Sequence, residues 1–343
     1  MKRVIKFLSA SLIFAVMVLN ANLAISADYK VGFIYIGPPG DHGWNYQHDV
    51  GRKAVDEAFG GKVETVFQEN VPESADAERV MTQMALAGAD MIFATSFGYM
   101  DPVINVAKKF PKVKFEHATG YKTADNVSTY SARFYEGRSV VGHIAGKMTK
   151  SNTIGYVASF PIPEVVRGIN AFYLGATSVN PKFDIDVVWV NTWYDPVKEG
   201  DAAKVLISEG ADIITQHTDS PAALQIAEKA GVMAFGQASD MIQFAPKAQL
   251  TAIIDDWAPY YVARVQAVLD GTWKKSDTWG DMKSGMVKMA PYTNMPPSIA
   301  ALAAQLEGNI KNGTFDPFGG KYTTGELLGM NKYVKGIDAS LPK

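Results

Sequence analysis

Aromatic rings and polar side chains collect in the segments that follow the apolar, strand-like runs of this sequence. The aromatic members are Trp44, Phe97, Tyr99, Phe160 and Trp193, and the polar members are Asn45, Asp219 and Asp240. Aromatic walls bury a flat ring, while amides and carboxylates pair with its polar edge. The combination favours a heteroaromatic base as ligand, although a sugar would also stack on such walls. Each aromatic residue could instead be a packing residue, and Asn45 and Asp240 could cap helices.

Catalytic chemistry has little support in the sequence. No GxSxG, HExxH, P-loop or GxGxxG motif follows a strand-like run. Asp41 with His42, or His217 with Asp219, could form an acid–base pair, but neighbours in a loop need not face each other. The histidines lack the spacing of a zinc site, and the absence of cysteine excludes disulfides and thiolate metal sites. We therefore expect a binding protein with no enzyme activity, no metal and no cofactor.

An alternation of strands and helices must position these residues. Residues 31–34 and 154–157 are short β-branched and aromatic runs, which are typical of buried strands. Residues 51–59 and 75–87 carry apolar side chains at three- and four-residue steps, which indicates helices. This alternation predicts an α/β fold with parallel sheets. Such sheets bind ligands beyond the carboxyl ends of their strands, where the aromatic residues lie.

An internal repeat divides the chain into two similar halves. The run VGFI at 31–34 corresponds to IGYV at 154–157, and GADMI at 88–92 corresponds to GADII at 210–214. A third pair, 113–119 and 232–239, keeps the same order and a similar separation. Ordered matches at a constant offset favour duplication of one unit. We predict two Rossmann-like lobes with parallel sheets, rather than one large sheet.

The repeat also suggests how the chain passes between the lobes. We expect residues 28–130 and 241–275 to form the first lobe, and residues 131–240 and 276–343 to form the second. Hinge crossovers between the lobes are expected near residues 126–132, 236–240 and 271–283.

The first 27 residues have the features of an export signal. A basic head with Lys2, Arg3 and Lys6 precedes an apolar run at 7–19, and small residues follow. This pattern is typical of a secretory signal peptide, with cleavage expected near Ser26 or Ala27. The whole sequence has 343 residues, 47% of them hydrophobic, and a net charge of −2. Such a composition indicates a globular protein with no electrostatic footprint for nucleic acid.

Five motifs in order resemble the Bmp (basic membrane protein) family of substrate-binding proteins of ABC importers. They are GDHGWN (40–45), GADMIFATSFGY (88–99), EGRSVVGHIAG (136–146), TIGYVASFPIPEV (153–165) and GQASD (236–240). The resemblance implies a type I periplasmic-binding-protein fold and, for the best-known members, purine nucleoside ligands. The missing cysteine departs from lipid-anchored members, so we expect a freely diffusing periplasmic protein.

The resemblance also implies roles for single residues in the two halves of the chain. Trp44 and Asn45 match the aromatic–Asn pair of the family, in which the Asn reads the purine edge. Phe97 and Tyr99 fall in the family's aromatic loop, and Trp193 lies where members place a stacking aromatic residue.

Two departures from the family pattern concern the ribose site. Asp240 matches an Asp that members use at the cleft. However, an Asp expected after the strand ending at 115–119 is absent, and Asp255 stands where nucleoside-binding members carry a Lys. Both family residues would face ribose hydroxyls, and Trp257 could close the space that ribose would fill. The resemblance therefore implies a purine base, such as adenine, rather than a nucleoside.

The function implied by the resemblance is that of a periplasmic substrate-binding component. It would bind the purine between two closing lobes, act as a monomer and deliver its ligand to an ABC permease in the inner membrane. The alternatives are a nucleoside, a sugar or another polar metabolite as ligand. A secreted nucleoside-processing enzyme and a sensory receptor domain of the same fold also remain as alternatives.

Overall fold

Two six-stranded sheets organise the protein in the computed structural model, which describes residues 28–339 and 341–342. The first sheet contains β1 (Tyr29–Ile34), β2 (Val63–Gln68), β3 (Met91–Ala94), β4 (Lys114–Ala118), β5 (Val127–Ala132) and β11 (Asp277–Gly280). The second contains β6 (Thr153–Ala158), β7 (Asp184–Trp189), β8 (Ile213–His217), β9 (Met233–Gly236), β10 (Gln249–Asp255) and β12 (Val287–Met289). These two sheets confirm the predicted α/β fold.

The two sheets share one strand order, as the internal repeat predicts. From one edge to the other, the first runs β2-β1-β3-β4-β5-β11 and the second runs β7-β6-β8-β9-β10-β12. All pairings are parallel except that of β12 with β10, which is antiparallel. Parallel neighbours need crossover helices, which then cover both faces of each sheet.

Ten α-helices connect and cover the strands in the described ranges. They are α1 (Trp44–Phe59), α2 (Ala75–Leu86), α3 (Met100–Lys109), α4 (Phe134–Met148), α5 (Pro163–Val179), α6 (Pro196–Ser208), α7 (Ala222–Ala230), α8 (Ala258–Leu269), α9 (Pro297–Lys311) and α10 (Thr324–Leu328). Gly88 and Gly210, which follow α2 and α6, have φ of +84° and +106°. A side chain would strain this conformation, which explains why a glycine precedes β3 and β8.

The alternation of side chains along β1 shows how each sheet is buried on two faces. Val31 and Phe33 pack with Val55 of α1 and Tyr261 of α8. Ile34 belongs to a separate apolar cluster that includes residues of α2 and α3. The second sheet is arranged in the same way, with α4 and α5 on one face and α6 and α7 on the other. Burial of both faces stabilises each lobe by the hydrophobic effect.

The lobe boundaries differ from those expected in two segments. Strand β11, which was expected in the second lobe with residues 276–343, pairs with β5 of the first sheet. Strand β10 pairs with β9 and β12, so residues 249–255 belong to the second lobe and not to the first. Helix α8 packs on α1 in the first lobe, where His48 Nδ1 lies 2.5 Å from the Tyr261 hydroxyl. The second crossover therefore follows Asp255 rather than residues 236–240. The prediction was wrong because the repeat gave no signal for a further strand after β9, whereas β10 continues the second sheet as its fifth strand.

The other two crossovers fall within or beside the expected ranges. The chain leaves the first sheet after β5 and enters α4, and it leaves the first sheet again after β11 to form β12. None of the helices in the described ranges is long and apolar enough to cross a membrane. The expected signal peptide, residues 1–27, lies outside the described residues.

Candidate functional site

A cavity lies between the two lobes, where the carboxyl ends of both sheets face each other. Its volume is about 30 Å³, or about 410 Å³ when all the surrounding space that is open to solvent is included. The first lobe lines it with Ile36, Trp44, Ser96, Phe97 and Thr119, and the second lobe lines it with Ile162, Glu164, Trp193, His217, Asp219 and Gln237. The position agrees with the general rule for ligand sites in parallel α/β sheets.

The loop after β1 is held by one buried carboxylate. Asp41 accepts hydrogen bonds from the backbone N–H groups of Gly43, Asn45 and Tyr46, at 2.9 to 3.0 Å. These N–H groups belong to the first turn of α1 or precede it, where no helical partner exists. Asp41 therefore fixes the start of α1 and with it the direction of the Trp44 side chain.

Asn45 supports this loop and does not line the cavity. Its Nδ2 donates to Asp41 at 2.6 Å, and its Oδ1 accepts from the Gly37 N–H at 3.2 Å. The side chain is fully buried, so both ends of the amide are already engaged within the first lobe. The amide joins Gly37 to Asp41 within the loop, and a contact of Asn45 with a purine stays a prediction.

Trp44 is the residue of this loop that reaches the cavity. Its indole Nε1 donates to the Thr95 carbonyl oxygen at 2.6 Å, which fixes the ring at the carboxyl end of β3. The ring lies edge-on to His48 at 4.5 Å and to Trp257 at 5.4 Å. An indole held by both a hydrogen bond and aromatic neighbours offers a rigid wall to a ligand.

Trp257 lies behind Trp44 rather than at the cavity surface. It stacks on His48 at 4.9 Å and is only 1% exposed. Burial holds the pKa of His48 well below its usual range, so this ring is neutral and packs as an aromatic group. Trp257 therefore supports the wall, and a direct ligand contact is not seen.

Phe97 and Tyr99 follow β3 but have different surroundings. Phe97 lines the cavity, as predicted. Tyr99 is fully buried in the first-lobe core, and its hydroxyl donates to the Val71 carbonyl oxygen at 2.5 Å. The prediction that Tyr99 contacts a ligand is not supported, because the 3-10 turn Phe97–Tyr99 directs these two side chains into different surroundings.

The second lobe contributes a ring pair at the opposite wall. Trp193 lines the cavity, and Phe160 lies beside it with ring centroids 5.0 Å apart. The Asp219 N–H donates to the Trp193 carbonyl oxygen at 3.0 Å, which joins the loops after β7 and β8. Phe160 thus reaches the site through Trp193 and is not among the lining residues.

Asp240 takes a structural role at the end of β9. Its Oδ1 accepts from the Ile242 N–H at 3.1 Å and from Gln249 Nε2 at 2.7 Å. Asp240 does not line the cavity, and the capping alternative describes it better than the ligand contact that was expected.

Seven of the eleven lining residues were not among the predicted site residues, and Glu164 and Gln237 are two of these seven. Glu164 occupies the first turn of α5 and lies 3.5 Å from His217 Nε2. Gln237 directly follows β9 and receives a hydrogen bond from Arg138. Both occupy segments after cleft strands, where only aromatic, Asp and Asn side chains were expected to contact a ligand.

Two buried carboxyl groups of the second lobe lack partners for their oxygens. One oxygen of Asp219 and both oxygens of Asp255 are enclosed without a hydrogen bond. Burial raises the pKa of both groups well above the ordinary value; Asp41 adds to the effect on Asp219 and Glu164 to that on Asp255. An unmade hydrogen bond of a buried group costs about 1–3 kcal/mol. These carboxyl groups are therefore suited to an incoming donor.

Arg138 supplies the opposing charge in this part of the site. Its Nη1 donates to the Gln216 carbonyl oxygen at 2.7 Å, and its charge lowers the pKa of Asp255 against the effect of burial. The guanidinium is 1% exposed and also lies over the Tyr156 ring at 5.5 Å. Sequence reasoning gave no signal for Arg138, since it lies within a helix far from the cleft loops.

Direct contacts join the lobes beside the cavity. The Ser239 hydroxyl donates to the His42 carbonyl oxygen, and the His42 ring lies 4.6 Å from that of Phe244. The backbone at Gly43 approaches Asp219 so closely that an added Cβ would overlap its carbonyl oxygen. The structure therefore shows the lobes closed on each other. In the described ranges, no three His, Asp or Glu residues form a group that could hold a metal ion.

Comparisons with known proteins agree with this geometry. The model of the Bmp family, described as ABC transporter substrate-binding protein PnrA-like, matches residues 29–307. The chain is 61% identical to a purine-binding protein of Brucella abortus over 329 residues, which cover 92% of this chain and 94% of that protein. It is 42% identical to a putative ABC transporter glucose-binding protein of Haloferax volcanii, with 91% and 81% covered.

Solved structures share the fold at much lower identity. A solute-binding protein of an ABC transporter system from Aeropyrum pernix has a TM-score of 0.72 at 19% identity. The match covers 84% of this chain and 92% of that one. At this identity the likeness concerns the two-lobed architecture alone.

Proposed function

Since this chain belongs to the Bmp family of ABC transporter substrate-binding proteins, we propose that it binds a purine base between its lobes and delivers it to a membrane permease. One observation carries the proposal: rigid aromatic residues of both lobes, Trp44 and Phe97 on one side and Trp193 on the other, line the cavity between the lobes. Flat rings match the faces of a purine. The 61% identical relative, which is named as purine-binding, supports the same ligand class.

The polar groups of the second lobe suit the edge of a purine. Asp219 and Gln237 offer acceptors and donors at the cavity surface, and His217 lies between them and Glu164. A carboxyl group with a raised pKa donates when protonated and accepts in either state. It can therefore pair with a ring nitrogen and with a neighbouring N–H group.

Asp255 favours a free base over a nucleoside. Asp255 is not among the lining residues of the cavity, but it lies near Glu164, which is one of them. Its two unpartnered oxygens need a donor, and Trp257 closes the space behind the first-lobe wall. A site built to pair a buried polar group rejects an analogue that lacks the matching N–H group. A base has such a group at the position where a nucleoside carries its sugar.

Closure of the lobes provides the signal for transport. The ligand would stabilise the closed state, because rings from both lobes contact it only when the cleft is shut. Binding then depends on the difference in affinity between the open and closed states, and no chemical step is needed. The permease would recognise the closed arrangement of the two lobes.

Glucose is the second candidate, because the 42% identical relative is named as a putative glucose-binding protein. Titration calorimetry with adenine, adenosine and glucose separates the two ligand classes. We expect adenine to bind most tightly and glucose to give no heat. Tight binding of glucose with no response to adenine would overturn the purine proposal. Chromatography of the adenosine mixture tests the enzyme alternative, since a released base would show turnover.

We also propose that the protein is exported to the periplasm, diffuses freely there and acts as a monomer. The basic and apolar pattern of residues 1–27 supports this, and family members of ABC importers work outside the cytoplasmic membrane. Amino-terminal sequencing of the periplasmic protein should begin near Ala27 or Asp28. Light scattering would give the mass of the mature chain, and a full-length product in the cytoplasm would contradict the proposal.

A further inference from the structure

A second compartment adjoins the ligand cavity on the side of the first and third crossovers. Its volume is about 600 Å³, and it shares Phe97, Thr119, Ile162 and Glu164 with the first cavity. These four residues therefore border both spaces. Nothing in the proposed recognition of a purine base uses this second compartment.

Two arginines in its lining have no carboxylate partner. In the described part of the chain, Arg52, Arg79 and Arg264 lie within 4 Å of an acidic oxygen, whereas Arg133 and Arg167 do not. A guanidinium has five N–H donors. Arg167 donates from Nη1 to the Leu327 carbonyl oxygen at 2.6 Å. Other donors of this group have no protein acceptor.

Arg133 is partnered more weakly. Among the described residues, its side chain makes one hydrogen bond, from Nη1 to the Tyr135 hydroxyl at 3.5 Å, and its Nε is enclosed without a partner. Arg167 is 97% buried, and no carboxylate oxygen of the described residues lies within ion-pair distance of it. Burial lowers the pKa of Arg167; the charge of the more distant Glu164 acts against this effect, and the proximity of Arg133 adds to it slightly.

One indole orders both guanidinium groups. Arg133 and Arg167 lie over the Trp279 ring, at 4.7 and 5.1 Å from its centroid. Trp279 is itself fixed, because its Nε1 donates to the Ala132 carbonyl oxygen at 3.2 Å. Stacking leaves the edges of a guanidinium free, and these edges match carboxylate and phosphate oxygens in a bidentate way.

The acidic residues of the compartment are engaged elsewhere. Glu164 lies 3.5 Å from His217 Nε2, at the border with the first cavity. Asp277 accepts a hydrogen bond from the Thr129 hydroxyl at 2.8 Å. Neither carboxylate lies within ion-pair distance of Arg133 or Arg167. The paired guanidinium groups therefore keep their capacity for an external anion.

We propose that Arg133 and Arg167 form an anion site that binds a carboxylate or phosphate group next to the purine. The group could belong to the ligand itself, as in a purine nucleotide, or be a separate ion. The first source rests on the proposed purine function, whereas the second does not. The two sources share one chemistry, a compact oxyanion held by two stacked guanidinium groups.

Calorimetry in phosphate-free buffer tests the site with four probes: inorganic phosphate, adenine, adenosine and adenosine monophosphate. The variants are Arg133→Met, Arg167→Met and the charge-preserving Arg167→Lys. Arg79→Met is the matched control, because Arg79 is exposed and pairs with Asp76 on the surface. Circular dichroism melting checks that each variant folds, and Arg133→Met alone suffices if the Arg167 variants do not.

We expect one phosphate-bearing probe to bind the wild type and the control, with affinity reduced roughly tenfold or more in the Met variants. If the monophosphate binds more tightly than adenosine, the anionic group belongs to the ligand itself. Binding of inorganic phosphate alone, without competition with adenine, shows a separate ion. If neither probe gains from its phosphate, or if the gain survives in the Met variants, the anion site is refuted. In that case, equal adenine affinity in the wild type and all variants would still support the proposed purine function.

Discussion

The two lobes have the same strand order but contribute different chemistry to the cavity. The first lobe lines it with Ile36, Trp44 and Phe97 and with two hydroxyl residues, and none of its lining residues is ionisable. The second lobe supplies all the ionisable lining residues, Glu164, His217 and Asp219. We call the lining residues of the first lobe the apolar wall and those of the second lobe the polar wall, although both lobes come from one duplicated unit. The comparison teaches that equal topology fixes where a site lies, while the loop residues decide what each half does.

The residues behind each wall also differ: they are aromatic in the first lobe and charged in the second. Trp44 rests on neutral aromatic groups, His48 and Trp257, inside the first lobe. Asp255 lies near Arg138 and Glu164, which act on it through charge. We therefore expect mutations in the first wall to affect stability and affinity together. Mutations in the second wall should separate the two.

The largest effect should come from Trp44→Ala in the apolar wall. Loss of one stacking partner costs about 1–3 kcal/mol, so purine affinity should fall roughly tenfold to a hundredfold. The same change opens a gap next to Trp257 and should lower the free energy of unfolding by about 3 kcal/mol. Calorimetry and urea unfolding measure the two quantities. Tyr99→Phe is the control, and it should lose about 1 kcal/mol of stability at unchanged affinity. Equal affinity in both variants would remove Trp44 from the site.

Asp255→Asn, next to the polar wall, should give opposite signs for binding and stability. It removes a buried, unpartnered carboxyl group, so the free energy of unfolding should stay equal or rise by about 1–3 kcal/mol. Adenine affinity should fall roughly tenfold, because a carboxyl acceptor is lost. Asp240→Asn is the matched control, since its carboxylate already accepts from Ile242 and Gln249. Asp240→Asn should lower the free energy of unfolding and leave adenine affinity unchanged. A loss of affinity in Asp240→Asn but not in Asp255→Asn would contradict this prediction.

Gly43→Ala tests whether tight ligand binding requires the two lobes to close fully. An added methyl group would overlap the Asp219 carbonyl oxygen in the closed state only, at a cost of about 1–2 kcal/mol. Affinity should fall roughly tenfold while the melting temperature of the free protein stays the same. Small-angle scattering with and without adenine reports closure, and full compaction of the variant would contradict this view. Gly40→Ala is a suitable control, because a Cβ at Gly40 meets no atom within 4 Å.

The smallest effect is a pH dependence of binding that arises in the polar wall. Burial and the nearby Asp41 raise the pKa of Asp219 in the closed state. The closed state therefore holds a proton that the open state releases, and affinity should be highest at low pH. Once the pH exceeds the ordinary pKa of an aspartate, affinity should fall as the pH rises, until the pH reaches the raised pKa.

Calorimetry across pH 4 to 8 in buffers of different ionisation heat would show the proton uptake. Asp219→Asn should remove both the slope and the uptake, whereas Trp44→Phe should keep them. A slope that persists without Asp219 would assign the titration to another group.

The fold could be predicted from the sequence to a large extent, because repeated signals mark it. The glycines at 88 and 210, with φ of +84° and +106°, end helices and precede strands in both halves. The exit of the chain after β10 could not be predicted in this way. Strand β10 has no equivalent marker, and only its pairing with β9 and β12 assigns it to the second lobe.

The candidate site was predictable by position but not by orientation. Trp44, Phe97, Trp193 and Asp219 were expected at the cleft and line the cavity. Tyr99 was expected on the same grounds, but its ring completes the core. A sequence places a loop at a sheet edge, whereas the direction of each side chain depends on packing partners that are distant in the chain. Glu164 and Arg138 belong to helices, and nothing local distinguishes them from surface charges.

The late return of the chain to the first lobe has a consequence for folding. Helix α8 and strand β11 complete that lobe, yet they follow the entire βαβ portion of the second lobe in the sequence. The tyrosine pair 130 and 261, whose hydroxyl groups lie 2.7 Å apart, closes a loop of 131 residues. Forming such a distant contact is entropically slow. We therefore expect the first lobe to remain incomplete during synthesis until α8 and β11 have been made, which is after most of the second lobe.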